Sequence, residues 1–256
     1  MRIVIVTQDE PFYIPVLMKK FTDQIPHPTE IFLLSGVPYG FNQVTYFKRL
    51  FDLFGFIAFA HFGFLFFYRG IMGFITGLCH KNGFSLKVIA HEKKIPLFKV
   101  DKINDPPVVE KIRLFHPDVI VSIASPQIFK EGIILSADHV INIHAALLPQ
   151  YRGMMPCFWV LAKGEEKTGV TVHYVDAKID TGPILLQREI IIDRNETFHS
   201  LNTKVVEISA DMLIEVIQNI VEGKVNTIKP EGSGSYFSFP TKETANEFRS
   251  RGRKII

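Results

Sequence analysis

Val140-Ile141-Asn142-Ile143-His144 sets an amide and an imidazole into an otherwise apolar, strand-like run. Polar groups return downstream in Gly169-Val170-Thr171-Val172-His173-Tyr174 and in Asp180-Thr181-Gly182-Pro183. In an extended chain alternate side chains share a face, so Asn142 and His144 point one way while Ile141 and Ile143 point the other. A buried strand end with an amide donor and a titratable ring, and a carboxylate able to return from a later loop, can stabilise an oxyanion and move a proton. An isolated Asn-x-His is more often a hydrogen-bonded structural pair. What sets this one apart is the ordered segment after it: Leu147-Leu148-Pro149-Gln150-Tyr151-Arg152-Gly153, then Pro156, Trp159, Gly164 and Thr168.

Around this stretch the chain alternates strand and helix patterns. Residues 2–6, 31–34, 97–100 and 119–124 read as strands, and 14–21, 85–93 and 107–115 as helices. Pro156 suits a first helical turn and Gly164 a helix stop, while 170–175 and 184–192 read as extended. Leu201, Val205, Ile208, Met212, Leu213, Val216, Ile217 and Ile220 mark a long amphipathic helix. Short β-rich runs between amphipathic stretches predict an α/β fold, a mostly parallel sheet with helices on both faces, where ligands gather at the carboxyl ends of strands. The opening turn Thr7-Gln8-Asp9-Glu10-Pro11 lacks the glycine fingerprint of a dinucleotide site, which counts against NAD or FAD.

At 256 residues and 47% hydrophobic, the chain can bury one sizeable core and a small appendage. A net charge of +3 is mildly basic, and no basic stripe with interleaved aromatics occurs outside the tail Arg249, Arg251, Arg253, Lys254. No nucleic-acid partner is therefore expected, and the tail reads as a solvated end. Cys79 and Cys157 have no metal-ligand spacing and form no disulfide framework. A reducing compartment and no metal are the expectation. With no cleavable signal pattern, the expected location is cytoplasmic, at the inner face of the membrane if the aromatic insertion described below binds lipid.

Over residues 140–187 the order and spacing of these motifs resemble the enzymes that take a formyl group from 10-formyltetrahydrofolate. They include methionyl-tRNA formyltransferases, glycinamide ribonucleotide transformylases and amino-sugar formyltransferases. A weaker resemblance covers residues 1–222 apart from one insertion. In that family an Asn, a His and an Asp form the catalytic set, which implies Asn142, His144 and Asp180 here. The resemblance further implies a Rossmann-like formyltransferase fold: a catalytic domain over 1–224, carrying an aromatic-rich helical insertion at 41–82, and a short C-terminal extension over 225–256. The pteridine of the co-substrate 10-formyltetrahydrofolate is expected between Ser125-Pro126-Gln127-Ile128 and Val175-Asp176-Ala177-Lys178-Ile179. Tyr151, Arg152, Met155 and Tyr236 are expected at the acceptor. Family members often carry Ser two residues after the His; Ala146 stands there, which leaves the acceptor contacts open at that point.

An amine that attacks a formyl carbonyl puts negative charge on oxygen and must shed a proton. Asn142 can offer an N–H donor to that oxygen, and His144, titrating near neutrality beside Asp180, can move the proton. Asp180 is expected to orient the imidazole and raise its basicity. The Tyr-Arg-Gly loop and the total length match amino-sugar formyltransferases best. Methionyl-tRNA enzymes continue into a C-terminal barrel where only a short segment follows Lys224 here, so tRNA is not the expected acceptor. The expected reaction is formyl transfer to the primary amine of a nucleotide- or lipid-linked amino sugar in surface polysaccharide synthesis. A hydrolase releasing formate, or a non-catalytic membrane-associated folate-binding module, are the alternatives.

The insertion is unlike the rest. Residues 53–68 contain one His and no formal charge, Arg69 interrupts the run, and 71–79 continue it. Thirteen aromatics fall between Phe41 and Phe74, with Lys48 and Arg49 before the run and Lys81 after it. A bilayer-spanning helix needs about twenty apolar residues, a length reached only by drawing in Asp52 or Arg69. A helix or helical hairpin in the membrane interface, covering residues 41–79, suits the composition better. The third reading is an apolar flap over the core or a homodimer surface.

Overall fold

The computed structural model describes residues 1–38, 40–79 and 85–256, and the side chains of all these but residues 70 and 73–79. Lys81 and the Cys79 side chain, both part of the sequence reading, lie outside them. The apolar runs form strands β1 (Ile3–Gln8), β2 (Thr29–Leu34), β3 (Leu97–Lys99), β4 (Val119–Ile123) and β5 (His139–His144), all parallel, in the order β3-β2-β1-β4-β5. A two-residue strand, β6 (Arg152–Gly153), follows. The main sheet then continues with β7 (Lys167–Tyr174) and β8 (Ile184–Ile191), each antiparallel to its neighbour. Strand direction at this edge is not encoded in side-chain alternation, which reads the same both ways along a strand. Short strand β9 (Tyr236–Phe237) pairs with β6 in a separate parallel ribbon.

The helices are α1 (Ile14–Gln24), α2 (Gln43–Cys79), α3 (Leu86–Glu92), α4 (Pro106–Phe115), α5 (Glu131–Ile134), α6 (Pro156–Lys163), α7 (Phe198–Val221) and α8 (Lys242–Ser250). Side-chain alternation divides the core into two layers. Ile3, Ile5, Ile31, Leu33 and Ile141 pack in one with α1, α6, α7 and α8, while Val4, Val6, Phe32, Leu34 and Val140 pack in the other with α4 and Phe129. Asn142 and His144 share the parity of Val140 and so lie on the α4 side of the sheet. The N-terminus of α1 is a place where doubly wound folds bind phosphate. Here it is taken by the chain's own Glu10, whose carboxylate accepts the N–H groups of Phe12, Tyr13 and Ile14 at 2.7, 2.7 and 3.1 Å.

The insertion is helical, and α2 breaks at Gly55, where φ is 72° and ψ 170°, a conformation open to glycine. The break frees the carbonyls of Asp52 and Leu53, and Arg249 of α8 donates to both at 2.9 Å. Leu53, Ala58 and Phe62 enter the first core layer, with Phe62 edge-on to Phe12 at 5.2 Å and Phe54 against Phe198 at 5.9 Å. Arg69, read as an interruption, points inward and donates to the carbonyls of Pro11 and Phe12 at 2.6 and 3.0 Å. The basic tail is solvated as its charge predicted at Arg249, Arg251 and Lys254, yet two of its cations also bind backbone. Arg249 caps a broken helix, and Arg253 donates to the carbonyls of Asp193 and Arg194 at 3.4 and 3.2 Å. Ala245, Phe248 and Ile255 of the C-terminal extension are buried in the first layer, with Phe248 stacked on Phe158 at 4.8 Å.

Candidate active site

The β5–β7 register pairs Asn142 with His173 and His144 with Thr171, which places four polar side chains on one face of an otherwise apolar sheet. Asp180 reaches them from the loop after β7. Its φ of 52° is a left-handed value that Asp tolerates better than most residues. The loop is held by Asp176, whose carboxylate accepts the Thr181 hydroxyl at 2.7 and 2.8 Å and the Lys178 N–H at 3.0 Å. Gly182 closes it: a Cβ there would stand 1.9 Å from the Tyr174 carbonyl oxygen. Asp180 Oδ2 accepts the Gly153 N–H at 2.9 Å, and Gly153 in turn must lack a side chain, since a Cβ would lie 2.2 Å from the Phe237 carbonyl oxygen.

Hydrogen-bond geometry assigns the tautomers. His144 Nε2 lies 2.8 Å from the Tyr151 carbonyl oxygen and donates to it, so in the neutral ring the Nδ1 lone pair faces Asp180 Oδ2 at 3.6 Å. His173 Nδ1 donates to the Tyr174 carbonyl at 2.8 Å. Its Nε2 is then free to accept from Asn142 Nδ2 at 3.1 Å. Asn142 Nδ2 also faces Asp180 Oδ1 at 3.4 Å. The flipped amide would set its oxygen against a lone pair and a carboxylate, so this orientation follows from the network. His173, with its Nε2 3.6 Å from Asp180 Oδ1, is a member of the cluster that sequence reading passed over as a strand residue. The available signal was its two-residue spacing from Thr171, both polar within an apolar strand.

Burial works on both ionisable partners. For His144 burial is the largest influence and holds its pKa below the ordinary 6.5, although Asp180 and the Tyr151 carbonyl pull upward. Asp180 raises the ring's basicity as the sequence reading expected, and burial opposes it. For Asp180 burial raises the pKa, but the nearby His144 and His173 rings, once protonated, and the Gly153 N–H together outweigh it and bring the carboxyl to about 2.

The loop after β5 is fixed by Thr171. Its hydroxyl donates to the Ala146 carbonyl at 2.6 Å and accepts from the Leu148 N–H at 3.2 Å and Gln187 Nε2 at 3.0 Å, its full complement of one donor and two acceptor bonds. Gln187 also donates to the Leu148 carbonyl at 2.9 Å. Thr171→Val keeps the shape and removes all three bonds, with an expected stability loss of about 1–3 kcal/mol, read as a lower denaturation midpoint. Ala146 is fully buried. A residue at this point therefore faces the interior, beside the loop that Thr171 holds.

The remaining expected site residues divide. Tyr151 presents its backbone carbonyl to His144, while its ring stacks on Phe237 at 5.2 Å and its hydroxyl donates to Glu165. Arg152 makes long contacts with the carbonyls of Ser235 and Ser233 at 3.4 and 3.5 Å. Met155, in a left-handed conformation with φ 52°, opens α6 and packs on the first core layer. Tyr236 is half exposed beside Gly153. Ser125 and Gln127 form a side-chain-closed turn, and Gln127 accepts from the Ile103 N–H at 3.0 Å and donates to the Asp101 carbonyl at 2.6 Å. Asn104, absent from the sequence reading, donates to the Ile128 carbonyl at 2.9 Å. Pro126 lies within this turn.

Ser125 stands two residues beyond the Ile123–Ile143 pair, and the Val175 N–H donates to the Val140 carbonyl. The two loops therefore leave the sheet about 10 Å apart along β5 by strand rise, with Asn142 between them. Ile128 and Ile179, one on each loop, have exposed side chains.

A family profile described as formyl transferase matches residues 76–217. Methionyl-tRNA formyltransferase of Clostridioides difficile (strain 630) is 37% identical over 195 residues, 72% of this chain and 63% of that one. The Geobacter metallireducens enzyme of the same name is 38% identical over 147 residues, 57% of this chain and 47% of that one. The chain thus spans between about half and two thirds of these relatives' lengths. Among solved structures, an N-formyltransferase from Helicobacter canadensis, in complex with folinic acid and dTDP-3-aminofucose, aligns with a TM-score of 0.64 at 18% identity, covering 98% of this chain and 81% of that one. A sugar N-formyltransferase from a Shewanella species aligns at 0.59 and 20%, covering 93% and 76%. At these identities the likeness is one of fold. The profile covers β5, β7 and the Asp180 loop, more than half of the sequence, and the chain belongs to the formyl transferase family.

Proposed function

We propose that this protein transfers a formyl group from 10-formyltetrahydrofolate to the primary amine of an amino sugar, nucleotide- or lipid-linked. The observation that carries it is the convergence of Asn142, His144, His173 and Asp180 at one strand pair. 10-Formyltetrahydrofolate, when bound, supplies an electrophilic formyl carbon, with Ser125, Pro126, Gln127, Ile128, Val175, Asp176, Lys178 and Ile179 bordering its place. Asn142 donates an amide N–H to the formyl oxygen as charge gathers there. His144 takes the proton shed by the attacking amine and returns it to the departing nitrogen. Asp180 holds the imidazolium formed in between. Family membership supports the donor.

For the acceptor, support comes from Tyr236, an exposed ring beside the Gly153 that anchors Asp180 and of a kind that packs on a sugar or base. The Helicobacter protein, solved with an aminated sugar nucleotide, agrees with this reading. Mass spectrometry of nucleotide-linked and lipid-linked amino sugars and methionyl-tRNA, each incubated with enzyme and 10-formyltetrahydrofolate, tests it. A formyl mass gain on an amino sugar, absent with His144→Ala, is the expected result. Gain on methionyl-tRNA alone would replace the acceptor, and formate release without any gain would make the protein a hydrolase.

A further inference from the structure

Helix α2 has a second apolar face. Opposite Leu53, Ala58, Phe62 and the inward Arg69, the side chains of Ile57, Phe64, Phe67, Tyr68 and Ile71 are exposed along about 21 Å of helix. The most apolar 18-residue window of Gln43–Arg69 has a mean hydropathy of 1.9, and 17% of it is buried. A helix apolar all round belongs in a protein core or in lipid, and the core takes up only its inner stripe. The tethers exclude a bilayer crossing in this conformation. Arg249 grips the carbonyls of Asp52 and Leu53, Arg69 grips those of Pro11 and Phe12, and the stripe between them packs into the domain. Lipid can reach one side of α2 only.

We propose that α2 is a monotopic anchor whose outer face lies in the headgroup–acyl boundary of an anionic bilayer. Charge separates this occupant from a second copy of the chain. Lys48 and Arg49 are exposed on the first half of α2, and Asp52 is the one acidic residue from 43 to 72. A second copy docked along the stripe brings Lys48, Arg49 and Arg69 against the single acid Asp52, a net like charge, whereas anionic headgroups meet these cations directly. The anchor also touches the ribbon beside the active site. Phe41 and Tyr46 pack on Phe239 at 5.4 and 5.8 Å, two residues after the Phe237 that stacks on Tyr151. The anchor does not depend on the formyl-transfer reading, and each can fail without the other.

Flotation with phosphatidylcholine vesicles, with and without phosphatidylglycerol, is the test. The protein is expected to float with the anionic vesicles, less so at high salt. A Phe64→Glu, Phe67→Glu double variant should bind at least about tenfold more weakly, while keeping its helical circular dichroism and its turnover of a soluble acceptor. Orientation is read from a fluorophore placed in turn at Ile57→Cys, Phe64→Cys and Ile71→Cys in a Cys79→Ser background. Similar, shallow quenching by lipid-borne quenchers at all three supports an anchor lying flat, and a steady gradient in depth would overturn it in favour of a span. Flotation unchanged by the double variant would overturn it. So would a protein that stays off vesicles and forms a dimer that the double variant dissociates, which would assign the stripe to a second copy.

Discussion

Asp180→Asn is expected to lower turnover by roughly a hundredfold to ten-thousandfold and to move the acid limb of the pH–rate profile to lower pH. The carboxylate lies 3.6 Å from His144 Nδ1, the atom that carries the proton in transit, and an amide supplies no charge to hold it. The direction of the pH shift follows from the causes acting on His144. Burial lowers its pKa and Asp180 raises it, so removing the carboxylate leaves burial opposed by less and the pKa falls further. The neutral, proton-accepting ring then persists to lower pH while the reaction itself is slower.

Stability moves in the same sense. A histidine whose folded pKa is depressed favours folding fully only above its unfolded value near 6.5, and that contribution declines as pH falls below it. Asp180, folded at about 2 against 3.8 unfolded, adds stability above 3.8 that disappears as pH falls toward 2. Wild type should therefore lose stability in two acid steps. The variant should lack the lower one. Steady-state rates across pH and thermal melts between about pH 2 and 8 check both, and an unmoved acid limb would separate Asp180 from the titration of His144.

Much of this was written in local patterns. Continuous apolar runs in β1, β2 and β4, buried on both faces, marked the parallel half of the sheet, and Pro156 and Gly164 bracketed α6 at its observed ends. Asn142 and His144 share a face because a strand has a period of two, so their neighbourhood was legible. The partner that orients Asn142 was not. His173 belongs to the site only because β7 runs antiparallel to β5 in one register, and register is set by tertiary contacts that a single strand does not display. The same limit hid the cations. Arg69 and Arg249 are charges at the ends of apolar or tail segments, and a sequence shows the charge without showing the backbone carbonyls that a helix break or a neighbouring loop leaves open for it. Tyr151 teaches the converse: family position marks where the loop passes, while stacking turns its ring to Phe237 and leaves its carbonyl to His144.

Asn142→Ala is expected to reduce kcat by about a hundredfold to a thousandfold with little change in folate affinity. In the free protein both amide hydrogens are engaged, one with His173 Nε2 at 3.1 Å and one with Asp180 Oδ1 at 3.4 Å. The second contact is long and weak. Turning that hydrogen to an oxygen gaining negative charge exchanges a poor bond for a charge-assisted one, while the bond to His173 keeps the amide in plane. Donation is therefore stronger in the transition state than in the free enzyme, which is the condition for raising kcat. The substitution also leaves His173, 2% exposed, with an unpaired ring nitrogen, at a cost of about 1–3 kcal/mol. An Asn142→Ala, His173→Phe double variant removes that orphaned acceptor and should recover part of the stability without recovering the rate. His173→Phe alone should fall between wild type and Asn142→Ala, because the donor survives and only its orientation is lost. A double variant as active as wild type would place the oxyanion donor elsewhere, and equal rates for His173→Phe and wild type would remove His173 from the positioning of Asn142.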